Sequence, residues 1–365
     1  MSDRADPGSA ARKPTAAELL RHGVKRRGEN DFTEAERALR AAVAKARRDD
    51  QTRRVDPVRR EDRVDAPYPL RRVDGLAGLR IRAQIELATL WRMRGDYRRA
   101  GLLFALTLPA AERTFGPRSV EVAALCNEWG VLGKYTGRFR QAEALYRRAL
   151  GILEEAHGPE HEDVATVCHN LGGLAHARGD HEAGEPWARR ATRLRARLLG
   201  GRHPRVAADL AAWAALVDGC GRPAEAETLL RDALAVCEAA YGPEHHDVAA
   251  ALHNLAALAH RRGDLDEARA RYTRALAVKD AVLGPGHPES AITLINLGAL
   301  HRARRRPDQA EACYGRAIEA LRRAAPDHPH LAAARRGLAA ARAELPPADV
   351  EPRRPTAPTR EETPS

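Results

Sequence analysis

Histidine supplies the first candidate chemistry in this chain of 365 residues. His157 and His161 stand four positions apart, and on one continuous helix that spacing would turn two imidazoles to the same face, where they could share a zinc-type ion. Gly158 and Pro159 lie between them, and a proline there interrupts the helix, which counts against a shared ion. His161, His203, His245 and His287 then recur at intervals of 42 residues, too far apart along a stacked chain for one ion to gather several. Helix initiation explains the column more simply, because each histidine follows shortly after a helix-ending glycine. No metal and no cofactor are expected.

Other reactive side chains are equally sparse in pattern. Cys126, Cys168, Cys220, Cys237 and Cys313 form no CxxC pair and are odd in number, so neither a disulfide framework nor a zinc ribbon is indicated, and a reducing compartment fits. Cys126 and Cys168 share a column with Leu210, Leu252 and Leu294, where a thiol serves as a small apolar side chain. The chain has no GxxxxGK[ST] loop, no GxSxG elbow and no HExxH, and between residues 76 and 345 its serines are Ser119 and Ser290 alone. Catalysis is therefore not expected.

Composition bounds the elements that must position any site. Hydrophobic residues make up 44% but aromatics only 4%, with Ala and Leu dominant, which suits close-packed helices better than sheets. The net charge of +11 arises from 61 basic and 50 acidic residues interleaved along the chain, which reads as a solvated surface and not as one nucleic-acid-binding block. The N-terminus, MSDRADPGSAARKPTAAELL, has no apolar targeting core, and no stretch approaches a membrane span, so a cytoplasmic protein is expected.

Aligned against itself, the chain places Gly95, Gly137, Gly179, Gly221 and Gly263 in one column with a period of 42, and Arg305 takes the sixth place. Five positions later stand Ala100, Ala142, Gly184, Ala226, Ala268 and Ala310, and five positions earlier Leu90, Leu132, Leu174, Leu216, Leu258 and Leu300. Linkers such as GPEHEDV, GPEHHDV and GPGHPES separate the units. Apolar residues recur at helical spacing on both sides of the glycine turn, so each unit is two helices whose small columns permit close approach. A lone hairpin cannot cover its apolar face, and stacked hairpins can.

The small residue at Ala88 or Gly130, the turn glycine, and then Ala142, Tyr146 and Ala149 resemble the tetratricopeptide repeat. The unit length, the VLGPGHPES linker and the HNLAALA and INLGAL first helices look most like the kinesin-light-chain type, which also occurs in many bacterial proteins. The resemblance implies an all-α superhelix, a solenoid of stacked helical hairpins, acting as a non-catalytic scaffold that binds a protein or peptide in its groove. The expected organisation is a disordered stretch over 1–14, a divergent hairpin over 15–48 with Asn30 at the turn, a charged linker over 49–75, six units over 76–328, a capping helix over 329–345 and a disordered tail over 346–365.

In this repeat the first helix of each pair lines the concave face, so the resemblance carries three columns to the groove. One reads Arg92, Lys134, His176, Asp218, His260 and Arg302. The others read Ile85, Asn127, His169, Ala211, His253, Ile295 and Glu86, Glu128, Asn170, Ala212, Asn254, Asn296. The expected peptide-binding residues are Arg92, Asn127, Lys134, His169, Asn170, His176, His253, Asn254, His260, Asn296 and Arg302. Asn can donate to and accept from an extended backbone, while the cations attract carboxylates, so an acidic or C-terminal segment is the expected ligand. The same Asn columns could instead serve packing between repeats. A second reading, a nucleic-acid-associated or transcription-regulatory protein using its basic surface, is disfavoured by the few aromatics for base stacking and by the lack of a separate DNA-binding motif. Oligomeric state, partner identity and pathway stay open.

Overall fold

The computed structural model describes residues 13–55, 75–324 and 329–345. Most of the stretch expected to be disordered at the N-terminus, the bulk of the expected linker, the last four residues of the expected sixth unit and the tail from 346 lie outside the described residues. Among those described there are fifteen α-helices and no strand. No helix among them is long and apolar enough to cross a membrane.

The chain divides into two compact units, the first comprising the residues up to Gly201 with Ala212–Arg222, the second Arg202–Ala211 with everything from Pro223. The first unit stacks four hairpins: α1 (Ala16–Gly28) with α2 (Phe32–Val55), α3 (Gly75–Met93) with α4 (Tyr97–Phe115), α5 (Val120–Tyr135) with α6 (Phe139–His157), and α7 (Glu162–Arg178) with α8 (His181–Leu199). Helix α9 (Pro204–Gly219) is divided between the units. The second unit continues with α10 (Pro223–Tyr241), the hairpins α11 (His246–Arg262) with α12 (Leu265–Leu283) and α13 (Ser290–Ala303) with α14 (Pro307–Ala324), and closes with α15 (Pro329–Ala343). Within each unit the second helix of a hairpin packs on the first helix of the next.

Local chemistry explains where these helices begin and end. The four recurrent histidines are caps: the Nδ1 of His161, His203 and His245 accepts the backbone N–H two residues on at 3.2 Å, and that of His287 does so at 3.3 Å. Each thereby satisfies one of the amides that the first turn of a helix leaves without a partner. The turn column adopts φ between +71 and +83 at its five glycines, and the two non-glycine residues with positive φ among those described, Asn30 and Arg305, stand at the corresponding turns. A left-handed turn is what reverses the chain between the two helices, and glycine adopts it without steric cost. Helix α2 runs on to Val55, past the boundary expected at 48, because no Gly or Pro interrupts it before Pro57 and Lys45 pairs with Asp49 one turn on.

Packing follows from the size of the columns. Tyr146 and Tyr272 are the largest fully buried side chains, and Gly130 in α5 makes room for the first, since a Cβ there would meet the Tyr146 ring at 2.6 Å. Burial of each such core side chain contributes about 1.5–3 kcal/mol. Second helices of successive hairpins are tied by ion pairs that recur at the repeat spacing, two in each unit: Arg148 with Glu112 at 2.7 Å and Arg190 with Glu154 at 2.6 Å in the first, Arg274 with Glu238 at 2.6 Å and Arg316 with Asp280 at 3.0 Å in the second.

Candidate functional site

The first helices α3, α5 and α7 place six of the expected groove residues in the first unit. Arg92 does not stand free: its Nη2 pairs with Glu128 at 3.0 Å, and Thr89 donates to the same carboxylate at 3.2 Å. Asn127 and Asn170 are joined, the Nδ2 of Asn170 donating to the Oδ1 of Asn127 at 2.8 Å. This bond ties α5 to α7, so these two asparagines hold neighbouring repeats together. Glu86 pairs with Arg27 of α1 at 2.6 Å, and burial raises its pKa above the usual carboxylate value while Arg27 opposes that shift. His169 is half-buried beside them.

Lys134 differs from its neighbours. Its side chain is half-buried and reaches α7, where a Cβ on Gly173 would lie 3.5 Å from Nζ, and its ammonium stands 5.6 Å from the Tyr135 ring centroid. Burial pushes its pKa down, and Arg92 pushes it further. Among the described residues no carboxylate pairs with it. Next in the column, His176 is also shifted down, chiefly by burial, then by His181 and Lys134, with Asp218 opposing. The two imidazoles of His176 and His181 lie 5.2 Å apart. Glu86 and Glu128 of this face are thus spent on Arg27 and Arg92, Asp218 acts on His176, and no carboxylate among the described residues pairs with Lys134.

The second unit arranges its columns otherwise. His253 lies 3.1 Å from the Thr293 hydroxyl and 3.4 Å from the Asn296 amide, with the Tyr272 ring edge-on at 5.4 Å. Burial, then Lys279, brings its pKa down to about 4, so this imidazole is neutral and acts as a packing bridge between α11 and α13. Asn254 is exposed, and His260 is half-buried with its pKa lowered by burial and then by Arg261. Arg302 is held by Glu344, just past the end of α15, through Nε at 3.0 Å and Nη2 at 2.5 Å. No single cluster gathers the eleven expected residues. In the first unit Lys134 is the column cation without a carboxylate, with the paired Arg92 and His176 on either side of it in the column.

Two features escaped the sequence reading. A groove of about 500 Å³ opens between α4 and the ends of α5 and α6, lined by Tyr97, Leu102, Trp129 and Leu132 among others. Its signal was present in the columns, since the exposed Leu102 of α4 takes the place that Ala144, Ala270 and Ala312 fill in other repeats. The second concerns His157 and His161. The Gly158 and Pro159 break, read from sequence as counting against a shared ion, folds their rings onto each other, with centroids 4.2 Å apart. Gly158 at φ +82 turns the chain back, so the helix end and the next helix start meet.

Comparison with known proteins accords with this architecture. The sequence model of the tetratricopeptide repeat matches residues 122–196, 211–281, 247–323 and 289–345, together more than half of the chain. No curated protein matches the sequence. Among solved structures, a putative kinesin light chain with nearly identical repeats from Podosopora anserina is 22% identical with a TM-score of 0.50, covering 56% of this chain and 96% of that one. A tetratricopeptide repeat protein from Parabacteroides merdae is 15% identical with a TM-score of 0.52, covering 90% and 98%. Aspartyl phosphate phosphatase F from Bacillus subtilis is 13% identical with a TM-score of 0.55, covering 92% and 80%. At these identities the likeness is one of fold.

Proposed function

We propose that this chain, which belongs to the tetratricopeptide repeat family of protein-interaction modules, binds an acidic or C-terminal peptide segment of a protein partner on the first-helix face of its first unit. The observation that carries this reading is Lys134. A half-buried ammonium without a carboxylate is costly to the folded state, and an incoming carboxylate would relieve that cost. Arg92, already paired with Glu128, and His176 frame the approach and keep a competing cation away. A charge-assisted hydrogen bond here is worth about 1.5–3 kcal/mol, enough with apolar packing to bring a weak encounter to micromolar affinity. The reading assigns the chain no reaction of its own, and its role is that of a scaffold.

Lys134→Met tests this without disturbing the repeat contacts, whereas replacing Asn170 would break the bond to Asn127. The intact wild-type and variant chains are offered a displayed peptide library and a lysate of the native host. Wild type is expected to select peptides rich in carboxylates or bearing free C-termini, with the variant about tenfold or more weaker, while its melting temperature holds or rises. Equal capture of the same ligands by both chains would sink the proposal.

A further inference from the structure

We propose that His157, His161 and Asp163 form a binding site for one zinc-class divalent cation at the junction of α6 and α7. One ligand atom from each of the three lies within 4.8 Å of the others, and among the described residues this is the one such group of three His, Cys, Asp or Glu side chains. His161 Nδ1 stands 3.5 Å from Asp163 Oδ2, and His157 Nε2 stands 4.0 Å from the same oxygen. Tetrahedral zinc with ligands at about 2.0–2.2 Å separates them by roughly 3.4 Å, so closure asks the two stacked imidazoles to tilt until their in-plane lone pairs converge, while the distances to the carboxylate shorten from 3.5 and 4.0 Å. Two imidazoles and a carboxylate suit zinc, nickel or copper(II), and the nitrogen donors select against magnesium and calcium.

The neighbouring charges leave the site accessible to a dication. Arg190 is held by Glu154, Arg197 by Glu160, and Arg195 faces Glu162 at 3.9 Å, so these three guanidinium groups are drawn to carboxylates other than Asp163. The three ligands are partly exposed, His157 at 21%, His161 at 35% and Asp163 at 54%, which gives an ion an entry path and leaves a fourth position for water. Binding draws on the Nδ1 lone pair with which His161 caps α7, so it trades one helix-capping hydrogen bond for a metal bond.

The chain contains its own control. Two units further on, the linker YGPEHHDV repeats HGPEHEDV with Tyr241 in place of His157, and Tyr241 stacks on His245 at 3.9 Å much as His157 stacks on His161. An aromatic ring is therefore sufficient for packing at this place, and the second nitrogen donor is an addition that packing does not require. His157→Tyr converts one linker to the form of the other and should fold as wild type does.

The test is calorimetric titration of the intact, reduced chain with zinc chloride, with magnesium chloride as the control, at pH 7.5 and again at pH 5.5. Wild type is expected to bind one zinc more than His157→Tyr does, so that ions taken by the other histidines and cysteines cancel. Asp163→Asn should weaken that extra site by about tenfold or more, magnesium should not occupy it, and acid should abolish it by protonating the imidazoles. Circular dichroism checks that both variants retain their helices. Tyr241→His offers an independent arm, expected to add a second site with His245 and Asp247. If wild type and His157→Tyr, both folded, bind zinc with the same stoichiometry and affinity, the proposal is overturned.

Discussion

His253 shows how burial can turn a titratable side chain into a structural one. It faces Thr293 and Asn296 of α13, the Tyr272 ring and Lys279 of α12, and no carboxylate offsets its desolvation. Its folded pKa, about 4, lies below the ordinary histidine value of 6.5, so the folded state resists a proton that the unfolded chain accepts. The stability this contributes is complete above pH 6.5 and is lost as the pH falls from there toward 4. His253→Asn places at this position the residue found at Asn127 in the equivalent repeat. Chemical denaturation at pH 7 and pH 5 should show wild type losing about 2 kcal/mol more than the variant over that interval. A parallel loss in both proteins would mean that other groups carry the acid sensitivity. Lys134 has the opposite character, because its unmet charge suits a ligand better than it suits the fold.

Among the helical hairpins, the one closed by Arg305 bends through the same left-handed turn as the others but with a side chain that disfavours it. Arg305 sits at φ +55 where the equivalent positions hold glycine, and it is exposed, with Arg304 and not Arg305 pairing to Asp266. A non-glycine residue in that conformation costs about 1–2 kcal/mol, and part of any relief is returned as the greater freedom of glycine in the unfolded chain. Arg305→Gly is accordingly expected to stabilise the protein by about 0.5–1 kcal/mol, measured as a higher denaturation midpoint with an unchanged slope. A lower midpoint would show that the Arg305 side chain contributes contacts of its own. The histidine caps belong to the same scale, since they set each helix start by hydrogen bonding and not by chemistry directed at a ligand.

At the level of the molecule, a net charge of +11 invites the nucleic-acid reading. The charges are distributed against it. Ion pairs such as Arg148 with Glu112 and Arg274 with Glu238 consume guanidinium groups along both units, and a phosphate contact would have to compete with those carboxylates. Duplex DNA and RNA are therefore expected to show no mobility shift with this protein at about 0.15 M salt, and any retention at lower ionic strength should vanish as salt is added. Persistent, sequence-selective binding at that salt concentration would favour the nucleic-acid reading over the peptide one.

The repeat was legible in the residues because its signals are local and periodic. Gly179 and Gly263 mark turns whose φ only glycine adopts freely, His161 and His245 mark helix starts, and Gly130 opposite Tyr146 marks close approach, all within one hairpin. Periodicity could also align the polar columns, but it could not say which members neutralise one another. That was decided by contacts between residues distant in sequence: Glu128 reaching Arg92, Glu344 reaching Arg302 and Asn170 reaching Asn127 left Lys134 as the cation without a carboxylate. The linker histidines carry the same lesson in reverse. Spacing alone reads Gly158 and Pro159 as a helix break that counts against a shared ion, whereas the positive φ of Gly158 in the folded chain brings the two rings together. Local backbone preferences determine the helices, and side-chain charges find their partners only once those helices have stacked.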